Sequence, residues 1–114
     1  GTISFASYLD NKKIELYEGL TINKDINIIS TSPNGVKIAT NNTSPTLTIN
    51  NFNIVLQNLT ICGGSASSGR ALKNHGNLTC NDVTFMDEQG SNVTESSIIN
   101  YGTIIFNGIN VLKK

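Results

Sequence analysis

GRALKNHGNLTCNDVTF (residues 69–85) decides the fold, because the chain repeats it. Its later part, NHGNLTCNDVTF (74–85), returns 26 residues on as NYGTIIFNGINV (100–111). In the other direction LTCNDVTF (78–85) echoes IVLQNLTI (54–61), 24 residues back. A fainter copy with one extra residue, LTINKDINI, occupies 20–28. Self-similarity at a fixed period is the sequence mark of a repeat architecture.

From Thr46 onward the repeat is built of short units: LTI (47–49), IVL (54–56), LTI (59–61), LTC (78–80), VTF (83–85), IIF (104–106) and INV (109–111). Most are apolar–polar–apolar, which in a strand sends the first and third residues to one face and the second to the other. The corners inside each repeat, Gln57-Asn58, Asn81-Asp82 and Asn107-Gly108, tolerate the left-handed backbone a sharp bend needs. Three-residue strands do not make a sandwich with long hairpins. They suit a coil in which each strand pairs with its equivalent one turn away. The expected fold is all-β, a right-handed parallel β-helix of about four turns with three short strands per turn. Equivalent residues then stack in inward columns: Ile54/Leu78/Ile104, Leu56/Cys80/Phe106, Leu59/Val83/Ile109 and Ile61/Phe85/Val111. A one-residue slip would bury Thr60, Thr84 and Asn110 instead, so the pattern itself selects this register.

The first part, 1–45, reads as irregular lead-in turns to the regular repeats of 46–112, within one β-helix domain 1–114. Strand candidates there are 2–6, 14–17, 20–22, 26–29 and 36–38, with a turn at Ser32-Pro33-Asn34-Gly35, where Asn-Gly accepts positive φ. A polar loop, TNNTSP, follows at 40–45.

Charged residues make up 14% of the chain, below the average of roughly 25%, and eight basic residues balance eight acidic ones. Nucleic acid and anionic membranes attract clustered Lys and Arg, so neither is an expected partner. No apolar run reaches the roughly 18 residues that span a bilayer, and no signal peptide is visible.

The segment Ser68-Gly69-Arg70-Ala71-Leu72-Lys73-Asn74, then Gly76-Asn77-Leu78-Thr79, then Val83-Thr84-Phe85, resembles the repeat of chlamydial polymorphic outer-membrane proteins and of adhesin-like β-helix proteins of methanogenic archaea. Those repeats read roughly GGAI-x-N, G-x-LTI and a strand ending in F-x-x-N. NIVLQNLTICGG (53–64) is similar to their opening, and the stretches 26–29 and 36–38 are similar to the lead-in strands of pectate-lyase-like β-helices. The resemblance spans roughly 20–111. Arg70 replaces the second glycine of GGAI, Glu88 stands where F-x-x-N has Asn, and the last repeat has Ser97-Ile98 without the glycines. The resemblance implies an extracellular or cell-surface protein used for attachment or as a stalk, without an active site.

Each conspicuous side chain has a structural reading. Cys80 points inward, and Cys62 follows Ile61 in a column with Met86 and Leu112, so buried thiols are expected rather than a bridge. His75, the single histidine, aligns with Tyr101, and ring packing on ring accounts for it; no further ligands suggest a metal. The acids Asp25, Asp82, Asp87, Glu88 and Glu95 are scattered, with Arg70 and Lys73 facing Asp87 as a solvated charge pair. They form no compact carboxylate-and-base group. The Thr60/Thr84 and Val55/Thr79/Ile105 outward columns are interrupted, so β-propensity explains them better than ice binding. Outward Ile99 and Ile105 suggest a contact surface. Sequons at Asn41, Asn42, Asn58, Asn77 and Asn92 follow from the abundance of Asn, Ser and Thr.

The expectation is therefore a non-enzymatic adhesin-like β-helix with no catalytic, cofactor-binding or metal-binding residues and no cofactor. Exposed strand edges at both ends predict end-to-end self-association, or membership of a longer solenoid. A protein or glycan ligand would bind the loops 62–69 and 86–96, which are inserted at the same place in the turn. The alternative is a carbohydrate-active, pectate-lyase-like β-helix enzyme or its non-catalytic remnant.

Overall fold

The computed structural model describes residues 1–6, 9–40, 45–63, 71–87 and 98–112. Strands follow one another in threes. The first three are β1 (Thr2–Phe5), β2 (Lys13–Leu16) and β3 (Leu20–Ile22), and then come β4 (Ile26–Ser30), β5 (Val36–Thr40) and β6 (Leu47–Ile49). The third set is β7 (Asn53–Gln57), β8 (Leu59–Gly63) and β9 (Leu72–Asn74). The chain continues through β10 (Asn77–Asn81), β11 (Thr84–Asp87) and β12 (Ile98–Asn100), and finishes with β13 (Thr103–Asn107) and β14 (Val111–Leu112).

Every third strand pairs, always in parallel. The first sheet runs β1-β4-β7-β10-β13, the second β2-β5-β8-β11-β14 and the third β3-β6-β9-β12. The result is an all-β solenoid walled by three parallel sheets. Its interior is the apolar set Ile28, Val36, Ile38, Leu47, Ile49, Ile54, Leu56, Leu59, Ile61, Leu72, Leu78, Cys80, Val83 and Phe85, all buried. The lead-in 1–45 contributes β1–β5 to the same sheets.

In the first sheet the expected columns hold: Ile54, Leu78 and Ile104 pair in register, and so do Leu56, Cys80 and Phe106. In the second sheet Ile61 pairs with Phe85, but the last coil departs by one residue. Thr84 pairs with Val111 and Phe85 with Leu112, so neither Val83/Ile109 nor Phe85/Val111 is a column. Met86 does face Cys62, while Leu112 does not join them. The cause is one extra residue at the last corner. Ile109 is looped out beside Asp82, donating its N–H to Asp82 Oδ1 at 2.7 Å, and its side chain is 78% exposed. Asn110 then fills the gap in the ladder: its Oδ1 accepts the Val83 N–H at 2.9 Å, and its Nδ2 donates to Asn107 O at 2.7 Å.

Two further corrections concern phase. The copy at 20–28 is not equivalent to 78–85: Leu20–Ile22 pairs with Leu47–Ile49 in the third sheet, whereas Ile26 pairs with Ile54 in the first. The third sheet also contains Leu72–Asn74 and Ile98–Asn100, which the triplet pattern passes over because Asn ends each of them.

The corners are where the sequence is most specific. Between the first and second sheets lie Asn11, Gly35, Asn58, Asp82 and Gly108, all with φ between 55° and 75°. This column of left-handed residues bears out the corner pairs read from the sequence. Asn58 also donates Nδ2 to Ser30 O and Ser32 O, at 3.1 and 2.6 Å, tying one coil to the preceding one. Lower down the same edge, Asn34 gives its backbone N–H and its side-chain amide to the two oxygens of Asp10, at 2.7 and 2.9 Å. The side-chain amide first, then the backbone N–H, holds the Asp10 carboxyl below its usual value. The clamp contributes above that usual value and is lost as pH falls through the lowered one.

Between the third and first sheets, Asn74-His75-Gly76 and Asn100-Tyr101-Gly102 make the same bend. The Asn Oδ1 accepts the N–H of the Gly two residues on, at 3.0 Å in both, and Nδ2 donates back to that Gly's carbonyl. Asn74 is fully buried, and its Nδ2 also reaches Asn100 Oδ1 at 2.9 Å and Thr103 O at 3.2 Å. A buried amide without these partners would be costly. The remaining buried hydroxyls are satisfied in the same way: Ser30 and Ser32 bond each other, Thr40 donates to Leu16 O and Thr46 to Cys62 O.

No disulfide joins Cys62 and Cys80, and both thiols are buried. Burial pushes the Cys80 thiol up from 9.0 to about 12. A raised pKa favours the protonated thiol in the fold, so this contribution is complete below pH 9 and is lost between pH 9 and about 12. Denaturation midpoints should fall over that range, and Cys80→Ala should fall less steeply; identical slopes would refute the assignment.

Candidate functional site

The side chains singled out in the sequence are mostly absorbed by the scaffold. His75 and Tyr101 stack, with ring centroids 4.9 Å apart and planes 16° from parallel. Asn77 donates its amide to Asn53 Oδ1 at 3.0 Å, and Asn107 to Asn81 Oδ1 at 3.2 Å, so these exposed amides form rungs between coils. Asp82 is the acceptor for Ile109, and Asp25 Oδ1 accepts the Asn53 N–H at 2.7 Å. Both carboxylates hold corners together. Among the described residues no three His, Cys, Asp or Glu side chains gather in one place.

The expected binding loops 62–69 and 86–96 lie largely outside the described residues, as do Arg70, Glu88, Glu95 and the sequons at Asn41, Asn42 and Asn92. The Asp87 side chain is not described either, so the proposed pair with Arg70 and Lys73 has no geometry to report.

Two recesses mark the described surface. One, of about 300 Å³, lies on the outer face of the first sheet over Asp25, Asn27, Asn53, Val55, Asn77 and Thr79. Its lining mixes the Asn27, Asn53 and Asn77 amides and the Thr79 hydroxyl with the apolar Val55, Ile26 and Ile54, and Asp25 is its one carboxylate. The other, of about 200 Å³, is bounded by β1, β3 and β4 and lined by Ile3, Leu20, Ile22, Ile26 and Ile28. This apolar recess lies at the β1–β3 end of the described coil, among residues of its interior columns.

The ends are the feature that the packing leaves open. Among the described residues, no strand pairs with the outer edge of β1, β2 or β3, nor with that of β12, β13 or β14. The inward column Ile3/Ile28/Leu56/Cys80/Phe106 has a fully buried middle, yet Ile3 is 45% exposed and Phe106 51%. In the third sheet the column Leu20/Leu47/Leu72/Ile98 behaves alike: Leu20 is 40% exposed, Leu47 and Leu72 are buried, and Ile98 is half-buried. An apolar column exposed only at its termini is a core cut across, unlike a scattered surface leucine. On the outer face Ile105 is exposed and Ile99 half-buried, so the suggested apolar contact surface adjoins the β12–β13 end. The exposure of the ends was legible in the sequence only as a consequence of the fold, since Ile3 and Phe106 look like any other core residues.

No protein-family model, curated protein or solved structure matches the chain.

Proposed function

We propose that this chain is a non-enzymatic structural solenoid of the adhesin-like kind, a right-handed coil of about four turns that works at the cell surface or outside the cell. Its ends are joints, where coils of the same kind continue the stack, and its loops 62–69 and 86–96 present a binding surface to a protein or glycan. The observation that carries this reading is the exposure of Ile3, Leu20 and Phe106 at the ends of otherwise buried apolar columns, beside strands whose outer edges no described strand pairs. Open edges of this sort template pairing with another chain, and solenoid repeats draw their stability from neighbours on both sides.

A carbohydrate-active role is the second reading, favoured by the amides of Asn27, Asn53 and Asn77 in the recess on the first sheet. Acid–base chemistry on a sugar needs two suitably placed groups. Asp25 is the one carboxylate lining that recess, and its Oδ1 is engaged by Asn53. The recess therefore supports sugar contact more than sugar cleavage. Sedimentation of the pure chain tests the primary reading. Multimers that grow with concentration are expected, whereas a monomer at high concentration whose end strands resist hydrogen exchange would refute it.

A further inference from the structure

The outer face of the first sheet carries two side-chain columns whose polar groups the scaffold uses only in part. Strand alternation sends Asn27, Val55 and Thr79 outward from β4, β7 and β10, and pairing sets them side by side. The second column is Asp25, Asn53 and Asn77. Asp25 Oδ1 takes the Asn53 N–H at 2.7 Å and Asn77 Nδ2 donates to Asn53 Oδ1 at 3.0 Å, so neighbouring coils hold these three in place. The groups left over are of known kind: Asp25 Oδ2 and Asn77 Oδ1 accept, Asn53 Nδ2 donates, and the Asn27 amide and Thr79 hydroxyl do both. None of them bonds to another described residue. All six side chains line the recess of about 300 Å³, to which Gly1 contributes backbone alone. Because β1 and β13 flank β4, β7 and β10, this is the middle of the sheet and not a free edge.

We propose that this recess binds a neutral, hydroxyl-rich sugar, a short stretch of a glycan lying across the coils. A sugar ring presents adjacent hydroxyls that each donate and accept, beside apolar C–H faces. Asp25 Oδ2 and Asn53 Nδ2 stand on neighbouring coils, about 4.8 Å apart at the backbone, as an acceptor and a donor for two adjacent hydroxyls. Val55, half-buried between Asn27 and Thr79, is an apolar floor for a C–H face. No Lys, Arg or His side chain lines the recess, so a uronate or other anionic sugar would meet the Asp25 carboxylate without a counter-charge. An extended peptide gains from a free strand edge or from pockets for its side chains, and the middle of a sheet face supplies neither. About 300 Å³ is the lower end for a ligand pocket, which suits a mono- or disaccharide unit. The bonds among Asp25, Asn53 and Asn77 orient the amides before a ligand arrives, which reduces what binding must order. This inference rests on the second reading above and adds the ligand class and the atoms that meet it.

An NMR titration of the isotope-labelled full chain tests this, with neutral gluco-, manno- and galacto-trisaccharides and with trigalacturonate as the charged comparison. A neutral trisaccharide should give saturable shifts of the Asn27, Asn53 and Asn77 side-chain amides, and trigalacturonate should bind about tenfold more weakly or less. Asn27→Ala and Thr79→Val should each weaken binding about threefold to tenfold, the loss of one hydrogen bond. Gln57→Ala, on the same face but outside the recess, should leave binding unchanged. The Asn27 and Thr79 side chains bond to no described residue, so thermal melts of their variants should match the parent. Trigalacturonate bound as tightly through the same amides would overturn the neutral ligand and leave the carbohydrate reading standing. Neutral sugars that bind without shifting these amides, or equally well to Asn27→Ala and Thr79→Val, would overturn the recess as the site. No binding by any of these sugars would remove both this inference and the carbohydrate reading.

Discussion

Phe85→Ala should cost about 3–5 kcal/mol of folding stability, the range for truncating a buried aromatic. Phe85 is among the largest side chains that the fold buries completely, and it stands in the second sheet directly over Ile61, with Ile38 one coil further back. Removing its ring opens a cavity that two flanking coils, pinned by their own ladders, cannot close. Against a total of about 5–15 kcal/mol for a domain, that loss brings the chain near unfolding at room temperature. Phe106→Ala is the matched comparison. Phe106 is 51% exposed, so its truncation should cost about 1 kcal/mol when measured in dilute solution, below the onset of stacking. Urea denaturation of both variants checks the contrast. Equal losses would mean that the interior is closed over Phe106, contrary to the open end described above.

The second large effect is expected at a glycine with no side chain to lose. A Cβ on Gly76 would run into the carbonyl oxygens of Asn50 and Phe52 and come within 2.9 Å of Phe52 N. All three are backbone atoms of the coil beneath, so nothing can rotate away. The corner would have to lift off its neighbour, breaking the Asn77 N–H bond to Phe52 O and disturbing the Asn74 amide. Gly76→Ala should destabilise by about 3 kcal/mol or more, a steric cost at the upper end for overpacking. The melting temperature should fall by about 10 °C or more. A thermal melt unchanged within a degree would show that the corner has slack which the close approach of these coils denies.

Much of this was legible in the residues. The alternation in LTC (78–80) and IVL (54–56) names the inward side chains without reference to any partner, because a strand sends neighbours to opposite faces whatever it pairs with. Asn58, Asp82 and Gly108 could be assigned to left-handed corners because few residue types enter that conformation at low cost. The His75–Tyr101 stack followed from placing the two at equal positions in the repeat.

Other features were not legible, for one shared reason. Leu20–Ile22 and Leu78–Cys80 are nearly the same triplet, yet they belong to different sheets. An apolar–polar–apolar unit serves any wall of the solenoid, so it carries no mark of which wall it joins. Leu72–Asn74 was passed over because Asn74 breaks the apolar pattern; its burial is tolerated only because Gly76, Asn100 and Thr103 satisfy the amide. The extra residue at Ile109 has the same origin. Its alignment with Val83 looks natural by apolar character, but Asn110 takes the place in the ladder by supplying Oδ1 to Val83 N–H.

The linear pattern alone was thus sufficient for most of the strands of the first two sheets, for the coil and for the chemistry of most of its corners. Those properties depend on residues one to three apart, where backbone sterics and side-chain alternation act. Pairing between coils decided the rest: the wall each strand joins, the looping-out of Ile109 and the exposure of Ile3 and Phe106. Hydrogen bonds and contacts between residues some 24 to 29 positions apart fix that phase. Only a folded neighbour can say which strand has one beside it and which does not.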